Sequence, residues 1–478
     1  MLRRAAAMGL LTLLAMGGQF LVRAMLTALV GPGVELDAYN LALGWGGAVS
    51  AAVFQVVALV LAPRLAGRPA PGTRRLSASL ARWLTLLTIV LALAASAVVM
   101  VLTGLGLGLL TLAVLLGWGV ANGVLLYERQ LLQARGQALA PALLGLLPAI
   151  AILSAITLGM GGSLLGLALV GTAGWSLAAA AACWLLERSW DGQDQQPRAP
   201  LRPVLTAALP VLGASWNCQM VQRAQDGLAA FAQVGGATIY GNALALARLP
   251  QTVADAVFSA TAYPAALQAL AAGDGPGLRA AYRLALRAHL AVMVPVAVAV
   301  LVAGDAATEV VYAYGKCTPE DVARIAQVLW WSALGMVAIS LQCVHSQFLV
   351  AAGQSAALLR TELAMSALSI AGSLVALHPL GLGGIIAGHS LAQCLIQIPM
   401  LLVLVRVGLR WQDTVAELVR ALLPVLPAVF LAEGVLSWLG DGASPWVRAL
   451  AAGGAVLLVT GPCSMWAIRH RPRPSGVH

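Results

Sequence analysis

Runs of about twenty mostly apolar residues recur along the whole 478-residue chain, parted by short gaps of Gly, Pro and Arg. Each run is long enough to cross a bilayer as a helix, and their number decides the solvent. Hydrophobic residues make up 60% of the chain, charged residues 10%, and the mean hydropathy is +0.88. A soluble domain carries about 45–50% apolar and about 25% charged residues. A core built by a chain of this length cannot hide so much apolar surface, so lipid must cover most of it. The expected fold class is all-α, a polytopic membrane protein.

Fourteen spans are read between the breaks, centred on residues 5–29, 39–62, 80–103, 107–127, 139–158, 163–186, 204–231, 238–265, 284–304, 325–350, 357–378, 383–405, 416–438 and 446–468. Placing the N-terminus in the cytoplasm puts 22 of the 28 basic residues on that side and three, Lys316, Arg324 and Arg448, on the other. That asymmetry is what the positive-inside rule demands, and it predicts cytoplasmic termini. A missed or invented span would scramble it. The net charge of +10 therefore reflects topology, and no nucleic-acid partner is expected. The outer connections are short, the longest being residues 304–321, which leaves no room for an outer catalytic domain. Six isolated cysteines show no metal-ligand or CxxC spacing, so neither a metal nor a cofactor is predicted.

The most polar connection, ERSWDGQDQQPRAPLRP at 187–203, reads as a linker between halves that resemble each other. LLQARGQALAPALL (131–144) parallels FLVAAGQSAALL (348–359), and LGMGGSLLG (158–166) parallels LGLGGIIAG (380–388). VRAMLTALVGPGVELDAYNLAL (22–43) loosely parallels VQRAQDGLAAFAQVGGATIYGNALAL (221–246), which sets Arg23 against Arg223. Six spans separate the copies, so they share one orientation, as in parallel transporter repeats. The predicted organisation is an N-terminal six-helix lobe (1–187), a cytoplasmic linker (188–203), a C-terminal six-helix lobe (204–405), and a final helix pair with a tail (406–478).

Ionisable groups at membrane depth are costly, about 2.5–3.5 kcal/mol on insertion scales, and mark interiors or hydrated cavities. Span 7 carries Ser215, Gln219, Gln222 and Asp226 at i, i+4, i+7 and i+11, with Arg223 beside them. Span 8 repeats the offsets with Arg248, Thr252, Asp255 and Ser259. Each set occupies one helix face, and two readings stay open: a shared hydrated cavity, or ion pairs that lock helices, such as Arg223 with Asp226. His389, Gln393 and Gln397 on span 12, and Gln342, His345 and Ser346 on span 10, read as interhelical hydrogen-bond partners. Arg23 in span 1 either reaches back to the interface or faces the interior. Asp37 opens span 2 just after the turn Gly31-Pro32-Gly33.

VRAMLTALVGPGVELDAYNLAL, LLQARGQALAPALLGLL, DGLAAFAQVGGATIYGNALALARLPQTV, TAYPAALQALAAGD, YAYGKCTPEDVARIAQVL and FLVAAGQSAALLRTELAMSAL together resemble the lipid II flippase family, MurJ (MviN), of the multidrug/oligosaccharidyl-lipid/polysaccharide exporter superfamily. The resemblance spans nearly the whole chain. It implies 14 transmembrane helices, as two pseudo-symmetric six-helix bundles plus a C-terminal pair, working by alternating access in the bacterial inner membrane. It further implies a cationic cavity for the diphosphate of an undecaprenyl-linked saccharide, which guanidinium suits by bidentate pairing. Arg23, Arg223, Arg248, Asp37, Gln219, Gln222 and Thr252 are the expected substrate contacts; Asp226, Asp255 and His389 are the candidates for a coupling cation or proton. The family's arginine pair in helix 2 is missing, since that stretch reads LALGWGGAVSAAVF. Lipid II-like precursors are thus the leading substrate, with a Wzx-type exopolysaccharide or O-antigen unit next and a small-molecule drug third. A membrane glycosyltransferase would need catalytic carboxylates or metal ligands near an interface, and the short outer loops offer few. The chain is expected to be a transporter with no catalytic residues.

Overall fold

The computed structural model describes residues 2–50, 54, 86, 90, 109–134, 143–159, 163–188, 201–440 and 442–469. Span 3, except Leu86 and Val90, and the linker 188–203, apart from the ends of the flanking helices, lie outside the described residues. Within them the chain is helical, with no strand. In chain order the helices are α1 (Leu2–Val30), α2 (Val34–Ser50), α3 (Leu109–Ala134), α4 (Leu147–Thr157) and α5 (Leu164–Arg188). Next come α6 (Leu201–Ala232), α7 (Gly236–Ala271), α8 (Gly275–Tyr312), α9 (Pro319–Ala351) and α10 (Ser355–Leu380). The last four are α11 (Leu382–Arg406), α12 (Trp411–Leu422), α13 (Val425–Leu439) and α14 (Pro445–Arg469). Six stretches are long and apolar enough to cross a membrane among the described residues: α5, α8, α9, α10, α11, and α12 with α13 together.

The helices are turned apolar side out, as lipid requires. Val375 is 77% exposed, Phe430 72% and Leu458 74%, a distribution that a water-soluble monomer avoids. Small residues do the interior packing instead, since lipid gives helices no hydrophobic reason to associate and close van der Waals contact must supply it. Gly388 of α11 lies against the backbone of Gly372 and Ser373 on α10, where a Cβ would collide. Ser373 seals the same crossing by donating to the Ile385 carbonyl at 2.8 Å.

Two compact units result, Met1–Thr238 and Ile239–His478. In the first, Tyr127, Leu131, Trp175 and Ala178 join α3 to α5, and Val22, Leu36, Tyr39 and Leu167 join α1, α2 and α5. In the second, Val298 of α8 packs with Ala428 and Ala432 of α13 and Ala452 and Val456 of α14.

Two expectations change. Residues 304–321, read as the longest loop, are helical to Tyr312, because α8 bends at Ala303 (φ −135°, ψ 23°) and continues. Thr308 supports the continuation by bonding the Gly304 and Asp305 carbonyls. The turn that remains ends at Thr318, whose capping box with Asp321 starts α9. Span 13 is two helices rather than one. The break falls at Leu423 and Pro424, where proline lacks the N–H that would continue α12.

Candidate functional site

The turn Gly31-Pro32-Gly33 delivers the chain from α1 into α2, and Gly31 takes the left-handed φ of 85° that this reversal needs. A second turn, between α6 and α7, uses Gly235 at φ 79°. The two turns pack together: a Cβ on Gly235 would stand 3.0 Å from Pro32. Asp37 fastens them. Its Oδ1 accepts from the Thr238 N–H at 2.7 Å and from the Thr238 hydroxyl at 2.6 Å, and Asn40 Nδ2 donates to that hydroxyl at 3.1 Å. Thr238 lies in the first turn of α7, where backbone N–H groups lack helical partners and the dipole favours an anion. Asp37 is only 4% exposed. Burial raises its carboxyl above the usual 3.8, with the Thr238 bonds pulling the other way.

Two turns further along α2, the same face meets α6. Asp37, Asn40, Leu41 and Gly44 fall at i, i+3, i+4 and i+7, one stripe of a helix. Leu41 packs on Ala237, with Trp45 and Ala230 alongside. At Gly44 the stripe receives the Arg223 guanidinium, which lies where a side chain at 44 would be. Arg223 pairs with Asp226 at 2.6 Å within α6, both side chains nearly buried. The Arg223 Nε has no hydrogen-bond partner among the described residues. Of the two readings of span 7, the helical ion pair is therefore realised, with donor capacity left over. Gln219 and Gln222 are half-buried on the same helix.

The remaining expected residues are spread more widely. Arg23 is half-buried on α1, and its carbonyl accepts from Thr27 at 3.0 Å. Arg248 and Thr252 belong to the second unit. Arg248 is exposed on α7, and Thr252 turns its hydroxyl onto the Leu249 carbonyl at 2.7 Å. The Asp255 side chain lies outside the described residues. His389 joins two helices: its Nδ1 meets the Ser369 hydroxyl at 2.7 Å and its Nε2 meets the Gln393 amide at 2.9 Å. Arg248 lies within electrostatic range of His389.

A family model described as "Lipid II flippase MurJ" matches residues 73–448, well over half of the chain. The chain belongs to the MurJ family. A search of curated proteins finds no match. Among solved structures, a lipid II flippase MurJ in an inward closed conformation superposes with a TM-score of 0.63 at 14% identity, covering 98% of this chain and 100% of that one. A MATE transporter in complex with MaL6 gives 0.61 at 15% identity over 87% and 95%. A MOP superfamily transporter from Pyrococcus furiosus gives 0.57 at 14% identity over 87% and 95%. At such identities these likenesses speak for the fold alone. Membership in the MurJ family makes the chain a multi-pass membrane transporter rather than an enzyme.

Three residues escaped the sequence reading. Gly44 carries no chemistry of its own, and only the approach of Arg223 gives it a role. Glu417 reads as one of many surface charges, yet its side chain is 2% exposed beneath Arg287 and Arg420. Glu362 sits in an apolar run, a signal that could have been found by the rule applied to spans 7 and 8. It is 6% exposed and accepts from Gln342 at 2.9 Å.

Proposed function

We propose that the chain flips a polyprenyl-diphosphate-linked saccharide, a lipid II-like peptidoglycan precursor, from the inner to the outer leaflet by alternating access. Family membership supports the class of cargo. The observation that carries the site is the Arg223 guanidinium, seated on Gly44 with its Nε unengaged. A diphosphate presents several acceptor oxygens, and guanidinium keeps its charge where water is excluded. Arg223 thus takes the place of the arginine pair that the second helix of this chain lacks. Arg23 and Arg248 are the other proposed phosphate contacts, with Gln219, Gln222 and Thr252 reaching the sugar or carrier. The buried Asp37–Thr238 bonds suit a latch that holds the two turns together in one half of the cycle. Asp226, Asp255 and His389 are proposed as ion-coupling groups in this same reading.

The proposed topology has 14 transmembrane helices in two pseudo-symmetric lobes plus a final pair, in the bacterial inner membrane with both termini cytoplasmic. An exopolysaccharide or O-antigen unit on the same diphosphate carrier is the second reading, favoured by the arginine-free sequence of α2. Export of a small drug is the third.

Purified chain in vesicles carrying a fluorescent polyprenyl-diphosphate saccharide tests this directly. Arg23→Ala, Arg223→Ala and Arg248→Ala should each abolish translocation while expression stays normal. Translocation at the wild-type rate in all three would remove the assignment of these arginines to the cargo.

A further inference from the structure

Arg223 already meets an anion, and that anion is the chain's own. Asp226 follows it at i+3 on α6, and its Oδ2 accepts from the Arg223 Nη1 at 2.6 Å, with both side chains nearly buried. Asp226 is the one acid in the α6 sequence. It stands more than a turn short of the C-terminal end, where the helix dipole offers a carboxylate nothing. On the facing α2, Glu35 is exposed and Asp37 is engaged by Thr238. Asp226 is therefore the acid that answers Arg223 among the described residues.

Such a pair is a poor device for stability, since two well-packed apolar side chains often do as well or better. What it secures is a buried guanidinium that stays compensated without cargo. The hold is partial. Asp226 uses Nη1 alone, and Nε has no hydrogen-bond partner among the described residues. The Nη1 end fills the side-chain space at Gly44, so α2 sets no side chain of that residue between the guanidinium and an incoming group.

We propose that Asp226 is a displaceable counter-ion: it holds the Arg223 guanidinium in the absence of cargo, gives way when the diphosphate binds, and takes the arginine back on release. This rests on the cargo reading of Arg223. A phosphate oxygen reaches Nε first, because that donor is open. A second oxygen then competes for Nη1, since the diphosphate and Asp226 are like charges that repel across one guanidinium. Loss of cargo restores the pair, and Arg223 is never left buried without an anion. Asp226 thereby lowers the affinity for cargo and speeds its release, acting through Arg223 as a positioning residue. A cation taken up at Asp226 would free the arginine in the same way, so coupling there and cargo binding reinforce each other.

The first test titrates inorganic pyrophosphate into the full chain in lipid nanodiscs while thermal unfolding is followed. Without pyrophosphate, Asp226→Asn should unfold earlier than wild type, and it should gain more on addition. Its apparent affinity should be about tenfold tighter, because the arginine is no longer partly withheld. Asp226→Glu keeps the charge at i+3 and should restore the wild-type affinity. Adding Asp226→Asn to Arg223→Ala should tighten nothing, as the acid acts only through the arginine. An Asp226→Asn chain that folds only when prepared in pyrophosphate supports the exchange. One that pyrophosphate does not rescue, or that binds it no tighter than wild type, overturns it, as does tightening that persists without Arg223.

Translocation of the fluorescent polyprenyl-diphosphate saccharide in vesicles then separates this proposal from the cargo reading. Asp226→Asn should lower KM and the maximal rate together, since cargo held more tightly is released more slowly. A lower rate with KM unchanged or raised overturns the exchange and leaves the cargo reading standing. The expected pyrophosphate pattern in a wild type that moves no polyprenyl-diphosphate saccharide refutes the cargo reading and leaves the exchange at Arg223.

Discussion

Gly44 shows how far a single residue's role depends on a neighbour distant in sequence. In LALGWGGAVS it is one of three glycines of equal standing, and Arg223 alone distinguishes it. Gly44→Ala puts a methyl group where the guanidinium lies, which forces Arg223 off its seat. The guanidinium is the far end of a flexible side chain and can swing aside, and Ala gains about 0.5–1 kcal/mol over Gly inside a helix, so the midpoint of thermal unfolding in detergent should change little while translocation falls; Gly33→Ala, with open space around it, is the control.

Asp37, which precedes span 2, is the residue with a readable pH dependence. Its folded carboxyl is raised above 3.8, so the folded state binds a proton more tightly than the unfolded chain. The latch is therefore strongest at or below the unfolded value and weakens as pH rises through the raised one. Hydrogen exchange at the Thr238 amide, corrected for intrinsic rate, should be slower in mild acid than at neutral pH. Asp37→Asn should flatten that dependence. Equal protection at both pH values in the wild type would refute it.

At the scale of elements, α12 inverts the usual amphipathic arrangement. Its buried side is the polar one: Thr414 meets Tyr282, Asp413 meets Arg283, and Glu417 receives Arg287 through two bonds of 2.8 and 2.7 Å. Trp411, Val415, Val419 and Leu422 face outward. Ion pairs thus dock α12 on α8, while lipid takes the apolar side. Glu417→Gln removes the negative charge that Arg287 and Arg420 meet, a loss of about 3–5 kcal/mol for a buried pair. Limited proteolysis between α11 and α13 should accelerate in that variant. Unchanged cleavage would mean that Val298 and the α13–α14 pair hold α12 in place unaided.

For the whole molecule, membership in the MurJ family and a bilayer-facing apolar surface agree with what composition alone implied. The cargo prediction belongs at this scale because translocation is a property of the whole chain. Arg223→Lys should restore much less translocation than the wild type, since a single ammonium cannot pair two phosphate oxygens in the guanidinium's planar fork. Full activity in that variant would reduce Arg223 to a point charge and weaken the diphosphate reading.

The sequence by itself determined the solvent, the helical class and the positions of the six long apolar spans among the described residues. Those properties are sums over local residues, and a twenty-residue apolar run carries them without reference to anything else. It also identified Arg223 and His389 as residues out of place in lipid, and Asp37 as the residue that opens span 2. Their partners were decided only by the tertiary structure. Asp37 closes on an amide 201 residues away, and Arg223 needs a glycine on another helix. Helix breaks show the same division: span 13 was read straight through Pro424, where the helix breaks, and the run of α8 through residues 304–312 depended on a bend at Ala303. Hydrogen bonds and ion pairs are short-ranged, so their energies follow from which helix faces meet. That is settled by packing, which a one-dimensional pattern does not contain.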